Sequence, residues 1–365
     1  MNDLPLFLPA LDPHVKRKAR GAASVPVGRF EPFSREWVHD GWDLPEEERL
    51  LRTEIAIERP RKIITRNESP DVPFDRSINP YRGCEHGCIY CFARPSHSYL
   101  GLSPGLDFET RIVAKPDAPT LLARELRRRG YAPDVMAIGT NTDPYQPAEA
   151  KMGVMRGLLE VLDAFNHPVA IVTRGAGVLR DIDILSRMAA RNLLHVGISV
   201  TTLNADLARK MEPRAPTPQV RIRMIGTLAR AGIPVRVMAA PMIPGLTDHE
   251  LEAILTEARR AGARAASFIP LRLPHEVAAL FADWLHRHFP DRAERVLNAV
   301  AAFRDGRLND PRFGSRMTGE GVEADLLAQR FRVSCRRLGY DRPLPPLDRS
   351  RFAPPPEAGD QLSLF

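Results

Sequence analysis

The stretch Asn79-Pro80-Tyr81-Arg82-Gly83-Cys84-Glu85-His86-Gly87-Cys88-Ile89-Tyr90-Cys91 contains three of the chain's four cysteines, in the spacing C-x3-C-x2-C. Three thiolates clustered in a glycine-containing loop can hold a [4Fe–4S] cluster and leave its fourth iron without a protein ligand. Such an open iron can bind a small molecule and pass it an electron. The spacing therefore predicts an iron–sulfur site whose ligands are Cys84, Cys88 and Cys91.

Two other roles for these cysteines fit the residues less well. A structural zinc site needs four ligands. His86 or His97 could supply the fourth, but C-x3-C-x2-C is not the usual spacing of zinc fingers or ribbons. Disulfides are typical of short, oxidised, cysteine-rich chains, whereas this chain has four cysteines in 365 residues. Zinc is therefore the alternative to iron–sulfur chemistry.

The stretch resembles the cluster loop of the radical S-adenosylmethionine (radical SAM) enzymes, including the aromatic Tyr90 directly before the last cysteine. Asn79-Pro80-Tyr81-Arg82-Gly83-Cys84 and the later Thr142-Asp143-Pro144-Tyr145-Gln146-Pro147 resemble the branch related to spore photoproduct lyase. The resemblance implies two cofactors, a [4Fe–4S] cluster and S-adenosyl-L-methionine. The open iron would bind the amino and carboxylate groups of the latter, and reduction would cleave it to methionine and a 5′-deoxyadenosyl radical. An electron donor such as flavodoxin or ferredoxin is also implied.

Composition indicates a water-soluble protein in a reducing compartment. The chain is 44% hydrophobic, and no uninterrupted apolar run approaches the length of a membrane span. The N-terminus, Met1-Asn2-Asp3-Leu4-Pro5, lacks the basic-then-apolar order of a signal peptide, so we expect a cytoplasmic location and no membrane partner. A net charge of +7 makes a polyanion such as DNA a candidate partner. An abundance of arginine from coding bias would give the same charge.

Sequence patterns divide the chain into four regions. Residues 1–70 are predicted to be a basic, largely irregular and flexible leader, in which Glu54-Ile55-Ala56-Ile57 is a candidate edge strand. Residues 71–290 are predicted to form a single α/β domain. Residues 291–342 form a helical, arginine-rich extension, and residues 343–365 are a proline-rich tail that we expect to be a disordered or extended linker.

The central region alternates between short apolar runs and amphipathic helices. This pattern is typical of a parallel sheet covered by helices. The predicted strands after the cluster loop are 135–139, 167–173, 194–200, 234–240 and 265–270. Together with a strand before the cluster loop they make six βα units, which match the partial (β/α)6 barrel of the radical SAM enzymes. The pattern alone fits a full barrel or a doubly wound sheet equally well.

Helix signals lie between these strands. Periodic apolar residues predict helices that start near Thr120 and Met155. Thr247 with Glu250 three residues later fits a capping box at the start of another helix.

The resemblance implies roles for polar residues at the strand ends, where parallel barrels collect their functional groups. Asp143 and Thr142 would accept hydrogen bonds from the methionine ammonium, although Asp143 before Pro144 could instead cap a turn. Ser199 would bond the ribose, unless it is a buried serine bonded to backbone. Arg214 would pair with the cofactor carboxylate, since a guanidinium can do so through two hydrogen bonds, unless it is only a solvated surface residue.

Three further residues complete the implied cofactor site. Ile243 and Gly245 belong to the turn Ile243-Pro244-Gly245, which would pack against adenine. Tyr90 lies next to the cluster and could contribute through its backbone or its ring.

One feature departs from the lyase pattern. Spore photoproduct lyase uses a cysteine hydrogen donor close to the second strand end, whereas Gly139-Thr140-Asn141-Thr142 contains no cysteine. The remaining thiol, Cys335, is expected to be an ordinary packed cysteine far from the site. Reversal of a thymine dimer by the lyase mechanism is therefore not expected.

The chain ends in Gln361-Leu362-Ser363-Leu364-Phe365. These five residues resemble the pentapeptide that bacterial polymerases and repair factors use to bind the DNA sliding clamp. Gln361 can hydrogen-bond a pocket edge, and the leucines and Phe365 can bury apolar surface as a short linear motif. A chance apolar ending, or a tail that folds back onto the domain, is the alternative.

The sequence therefore predicts a radical SAM enzyme that acts in DNA metabolism or repair. One alternative is a radical SAM enzyme that modifies a protein, RNA or metabolite. The other is a non-catalytic iron–sulfur protein that binds nucleic acid or the sliding clamp. The bond broken, the hydrogen-atom donor and the oligomeric state do not follow from the sequence.

Overall fold

The structure is a computed structural model that describes residues 15–16, 20–30 and 49–357. The described residues contain twelve strands, numbered β1 to β12 in chain order. They are Val15–Lys16, Arg49–Leu50, Glu54–Ile57, Ile64–Arg66, Arg76–Ile78, Tyr81–Arg82, Arg111–Ala114, Met136–Ile138, Val169–Thr173, Leu194–Ser199, Val235–Met242 and Ala265–Pro270.

Twelve α-helices, numbered α1 to α12 in chain order, connect and cover these strands within the same residues. They are Asp107–Thr110, Ala118–Leu126, Glu149–Met152, Val154–Ala164, Ile182–Ala190, Ala205–Met211, Pro218–Arg230, Leu251–Ala261, Glu276–His288, Ala293–Ala302, Ser315–Thr318 and Val322–Leu338. Short 3-10 helices lie at Arg94–Leu100, Ala176–Asp181, Asp248–Glu250 and Pro290–Arg292.

The main sheet has seven strands in the order β12-β11-β10-β9-β8-β5-β4. Strands β5 and β8 to β12 are parallel to their neighbours, and only β4 is antiparallel. The six parallel strands follow one another in chain order without the reversal that defines a doubly wound sheet. Right-handed crossovers in one direction place the helices on one face and curl the sheet. The structure therefore confirms the α/β fold and the partial (β/α)6 barrel.

The register brings the carboxyl ends of the parallel strands to one edge. Ile198 pairs with Val237 on one side and with Thr173 on the other. Val196, Ile198 and Val237 are completely buried in the core beneath the helices, whereas alternate positions of β9 and β11 are only partly buried. Polar residues that follow the strands, such as Arg174, consequently meet at the edge where parallel barrels place their sites.

Part of the 1–70 region packs against the barrel. Strand β3 is the edge strand of a three-stranded sheet, where it pairs in parallel with β7, so Glu54–Ile57 forms the strand that the sequence predicts. Gly21 and Ala22 donate their backbone amides to the carboxylate of Glu109 at 2.9 and 2.8 Å. Residues 20–26 thus run along the cluster loop, residues 83–91. The division of the chain into four regions stays a prediction.

The extension continues into α10 to α12, and Cys335 lies on α12, partly buried against the core. Residues 343–357 form neither helix nor strand, but they lie on the barrel. Phe352 packs against Tyr131 and His167, with ring centroids 5.5 Å apart in both pairs. This part of the tail is therefore an attached segment; the final five residues lie outside the described part of the chain.

The helix predictions hold with one exception. The predicted helices near Thr120 and Met155 are α2 and α4, and each has its apolar face in the core. The capping box at Thr247 is wrong. The Thr247 hydroxyl accepts the Ile243 amide at 2.9 Å, and Glu250 instead accepts from Thr202 and Leu203 at 2.6 Å each. A long-range contact has replaced the local one. Among the described helices none has the length and apolar character required to cross a membrane.

Candidate functional site

The three cysteines lie on a tight loop at the carboxyl edge of the sheet. Gly87 has a φ of 67°, and a Cβ there would stand 2.7 Å from Glu109 Oε2. Arg94 is completely buried and donates to the carbonyls of Gly87 and Cys88 at 3.2 and 2.9 Å. Its charge is paired with Glu109 at 2.5 Å. The buried ion pair of Arg94 and Glu109 thus holds the backbone of the cluster loop in place.

The cysteine side chains fit a cationic cluster. Cys84 and Cys88 are buried, and Cys91 is partly exposed. Burial raises the pKa of Cys88 to about 12 and raises the pKa values of Cys84 and Cys91 as well. These thiols would therefore stay protonated unless a positively charged group compensates the thiolates. Iron ions supply that compensation when they bind sulfur.

The two histidines suggested as a fourth zinc ligand contact other groups of the protein. In the described parts of the chain no three His, Cys, Asp or Glu side chains converge as ligands of one ion. His97, one suggested fourth zinc ligand, bonds the Arg111 carbonyl through Nε2 at 3.0 Å. The other, His86, has its Nδ1 atom 3.4 Å from Asp143 Oδ2.

A buried polar network adjoins the loop. Arg174 follows β9, and its Nη1 atom lies 3.2 Å from Cys88 Sγ, 2.6 Å from the Tyr90 hydroxyl and 2.6 Å from Glu212 Oε1. Glu212 also accepts from Arg221, Thr201 and Tyr90. Burial opposes its ionisation, but Arg221 and Arg174 hold the pKa of Glu212 at about 2. A fixed carboxylate thus orients a cation toward a cluster cysteine.

Asp143 is fully engaged by protein groups. It accepts the Tyr145 amide at 2.9 Å and the Thr173 hydroxyl at 2.5 Å through Oδ1, and the Arg174 amide at 2.8 Å through Oδ2. Burial opposes the charge, but His86 and these hydrogen bonds lower the pKa of Asp143 below its usual range. The bond to Tyr145 is the turn-capping contact. Ammonium binding by Asp143 stays a prediction.

The turn that contains Asp143, residues 142–147, also holds the cluster loop in place. The Thr142 hydroxyl donates to the Tyr81 carbonyl at 3.0 Å. Gln146, which is buried, accepts the Glu85 amide at 2.9 Å and donates to the Gly83 carbonyl at 3.1 Å. Residues 142–147 therefore fix the backbone of the cluster loop through side-chain hydrogen bonds.

The other predicted cofactor residues lie around this centre. Ser199 is the last residue of β10 and is buried. Arg214 Nη1 lies 3.1 Å from Glu85 Oε1, on the cluster loop, with 31% of its side chain exposed. Ile243 is completely buried in an apolar cluster, whereas Gly245 is exposed with a φ of 75°. Tyr90, Asp143 and Arg214 each contact the loop or Arg174. No contact among the described residues tests the cofactor-binding roles predicted for Ser199, Ile243 and Gly245.

Sequence reasoning missed four residues of the site: Arg174, Glu212, Gln146 and Arg221. Gln146 stands within a segment quoted above, Glu212 precedes Arg214 by two residues, and Arg174 directly follows a predicted strand. The rule that polar residues at strand ends form the site would have identified Arg174. Arg221 lies inside α7 and carries no such signal.

The comparisons with known proteins agree with this geometry. The profile of the radical SAM superfamily matches residues 78–258. An uncharacterised protein of Mycobacterium tuberculosis is 36% identical over 285 residues, which cover 78% of this chain and 81% of the relative. An uncharacterised protein of Methanocaldococcus jannaschii is 25% identical over 68% of this chain and 89% of its own length. The chain belongs to the radical SAM superfamily.

Solved structures of spore photoproduct lyase share the fold. One mutant lyase superposes with a TM-score of 0.56 at 16% identity, over 78% of this chain and 79% of the lyase. Another mutant, with bound S-adenosylmethionine and dinucleoside spore photoproduct, gives a TM-score of 0.55 at 15% identity, over 78% of each chain. The superfamily implies a [4Fe–4S] cluster and S-adenosylmethionine as cofactors.

Proposed function

We propose that the protein is a radical SAM enzyme of the spore-photoproduct-lyase-like branch that acts in DNA metabolism or repair. Cys84, Cys88 and Cys91 would hold its [4Fe–4S] cluster. The observation that carries the proposal is the buried three-cysteine loop at the carboxyl edge of six parallel strands, with Arg174 3.2 Å from the sulfur of Cys88. When bound, the cluster supplies the electron that cleaves S-adenosylmethionine.

The chain's own residues would preorganise this site. Arg94 and Gln146 fix the loop backbone from both sides, so the three sulfurs are presented without rearrangement. Arg174 holds a positive charge beside Cys88. We propose that Ser199 binds the ribose and that Arg214 exchanges Glu85 for the cofactor carboxylate, which its partial exposure permits. Burial of the loop excludes water from this centre.

We propose that the reaction differs from thymine-dimer reversal by the lyase mechanism. All four cysteines are described, and Cys335 lies on α12, outside the network of the cluster loop. Burial raises the pKa of Cys335 to about 11, so its thiol is neutral and packed. The hydrogen-atom step would therefore use a group other than a strand-end thiol.

Three features support the proposed role in DNA metabolism or repair. The chain has a net charge of +7, its last five residues resemble a sliding-clamp-binding peptide, and its fold is shared with spore photoproduct lyase, which has been solved with a bound dinucleoside spore photoproduct. We infer that the tail delivers the enzyme to replicating or repaired DNA through the clamp.

Reductive cleavage of S-adenosylmethionine tests the enzymatic part. Anaerobically reconstituted, reduced protein should form 5′-deoxyadenosine; failure of protein with a full cluster to do so would favour the non-catalytic alternative. Isotope transfer tests the substrate. Deuterium should move between DNA and deoxyadenosine across a panel of damaged strands, whereas transfer from RNA, a protein or a metabolite would contradict the DNA assignment.

A further inference from the structure

Arg272 stands at the mouth of the barrel, and no counter-ion for it lies among the residues that the structure describes. It lies two residues beyond the end of β12, and its guanidinium carbon is 5.1 Å from the ring centroid of Phe92. Phe92 directly follows Cys91. The contact therefore joins the carboxyl end of the last parallel strand to the cluster loop. Within the described residues Arg272 forms no ion pair and no hydrogen bond.

The described charges near Arg272 do not balance the positive charge of its guanidinium. Burial lowers the pKa of Arg272, and the neighbouring Arg316 lowers it further, while Asp71 opposes both. Asp71, however, already pairs with Arg316 Nε and accepts the Gly314 amide at 2.6 Å. The nearby carboxylate is thus satisfied by another arginine.

A second buried cation adds to the excess. Arg304 is completely buried and donates to the carbonyls of Pro270, Leu271 and Arg316 at 3.0 to 3.2 Å. Burial and the charge of Arg272 lower the pKa of Arg304 to about 10. Cations that leave water without a paired anion destabilise a fold. A bound anion would remove that penalty, and the planar guanidinium of Arg272 matches phosphate.

Exposed aromatic rings flank the same arginines. Phe92 is 46% exposed and Phe313 is 61% exposed, and the Arg316 guanidinium carbon lies 4.6 Å from the Phe313 ring centroid. Aromatic side chains beside arginines on an open surface are the usual platform for unstacked bases. Bases inside a duplex do not offer their faces to such a platform.

We propose that the rim formed by Phe92, Arg272, Phe313 and Arg316 binds single-stranded or locally unpaired nucleic acid. A backbone phosphate would pair with Arg272, and neighbouring bases would stack on Phe92 and Phe313. The rim rests on the proposed function in that the strand is taken to be DNA. Its position beside Cys91 would bring the bound strand to the cluster loop.

Binding of a labelled strand to the full reconstituted protein tests the rim. By fluorescence anisotropy with a fluorescein-labelled DNA strand of about 12 nucleotides, Arg272→Gln should weaken binding at least tenfold. It should also flatten the slope of log K against log salt by about 0.7. Phe313→Ala should weaken binding roughly 5- to 100-fold. The matched control Arg260→Gln, which removes an exposed arginine paired with Glu257, should bind as wild type does.

The melting temperature of Arg272→Gln and the binding of an RNA strand distinguish the possible results. Apart from its contact with the exposed Phe92 ring, Arg272 has no ion pair or hydrogen bond among the described residues, so Arg272→Gln should change the melting temperature little or raise it; a clearly lower melting temperature would indicate a structural role and overturn the proposal. Equal affinity and salt slope in wild type and Arg272→Gln would also overturn it. Tighter binding of RNA of the same sequence would support the rim but contradict the proposed DNA substrate. Cleavage of S-adenosylmethionine by wild type, measured without nucleic acid, reports on the enzymatic proposal alone.

Discussion

Arg174 links the cluster loop to the interior of the barrel. Its Nη1 atom contacts Cys88, Tyr90 and Glu212, and Glu212 is held in turn by Arg221. A cation within hydrogen-bond distance of a liganding sulfur stabilises the more negative, reduced form of a cluster. We therefore expect Arg174 to position the cluster loop and to tune the redox potential of a cluster bound there.

The redox potential should report this role. Arg174→Gln keeps a side chain of similar shape but removes the charge, so the midpoint potential of the reconstituted cluster should fall by roughly tens of millivolts. A redox titration followed by electron paramagnetic resonance measures it. Arg187→Gln, which removes an exposed arginine paired with Asp163, serves as the control and should leave the potential unchanged. An unchanged or higher potential in Arg174→Gln would show that Arg174 does not tune the cluster.

At the scale of elements, residues 20–26 and the helix α1 together support the cluster loop. Glu109 on α1 is completely buried, pairs with Arg94 and accepts the amides of Gly21 and Ala22. A Cβ on Gly21 would come within 1.9 Å of the Gly87 carbonyl oxygen, so the two segments touch backbone to backbone. The leader thus contributes directly to the geometry of the loop.

Removal of the Glu109 charge should weaken this support strongly. Glu109→Gln leaves Arg94 as a buried cation without its counter-ion, which costs about 3–5 kcal/mol of unfolding free energy. Urea denaturation followed by tryptophan fluorescence measures the loss. Glu257→Gln breaks an exposed ion pair with Arg260 and should cost about 1 kcal/mol or less. Similar losses in the two variants would contradict the buried-pair account.

The attached part of the tail, residues 343–357, covers a buried histidine. His167 accepts the Tyr131 hydroxyl at 2.8 Å through Nε2, while Nδ1 faces the Pro168 carbonyl at 3.0 Å, an arrangement that suits neutral imidazole. Phe352 packs edge-on against the same ring. Burial lowers the pKa of His167 to about 4.

Stability should therefore decline in acid. The unfolded chain takes up a proton near the ordinary pKa of 6.5, and the folded chain does so only near 4, so stability is full above 6.5 and is lost as the pH falls toward 4. His167→Gln should reduce this pH dependence of the unfolding free energy. His286→Gln, at an exposed site, should leave it as in wild type. Identical pH profiles in wild type and His167→Gln would contradict the linkage.

The sequence predicts the elements of the fold better than their contacts. The strands were found because runs such as Val169–Thr173 are almost entirely apolar and rich in β-branched residues, which leaves a clear pattern. The three cysteines could be grouped as candidate ligands because their spacing is local, and their role as ligands stays a prediction. The pairing of Arg174 with Glu212 spans 38 positions and follows from packing, and so does the contact of Glu250 with Thr202 that displaces the predicted capping box.

At the scale of the whole molecule, the net charge, the barrel mouth and the C-terminal tail are consistent with the proposed nucleic-acid partner. The chain has a net charge of +7, and Arg272 at the mouth of the barrel has no ion pair within the described part of the chain. Phe352 anchors the attached part of the tail to the barrel through its ring contact with Tyr131. We expect the terminal pentapeptide to engage its partner as a short linear motif.

The tail should bind the bacterial sliding clamp. A synthetic peptide covering Gly359 to Phe365 should bind with a dissociation constant on the order of micromolar, because ordering a free peptide costs entropy. Leu364→Ala with Phe365→Ala should remove most of the affinity, since these side chains leave water. Isothermal titration calorimetry measures both. Deletion of Gln361 to Phe365 should abolish binding by the full protein but leave cleavage of S-adenosylmethionine intact. Clamp binding that survives the deletion would defeat the assignment.

The iron and sulfide content of anaerobically reconstituted protein tests the central claim most directly. Wild type and Cys335→Ala should contain about four iron and four sulfide ions per chain, and both should cleave S-adenosylmethionine when reduced. Alanine at Cys84, Cys88 or Cys91 should abolish the brown absorbance and the cleavage, because three thiolates are needed to hold the cluster. Wild-type protein that binds one zinc ion and no iron would contradict the account.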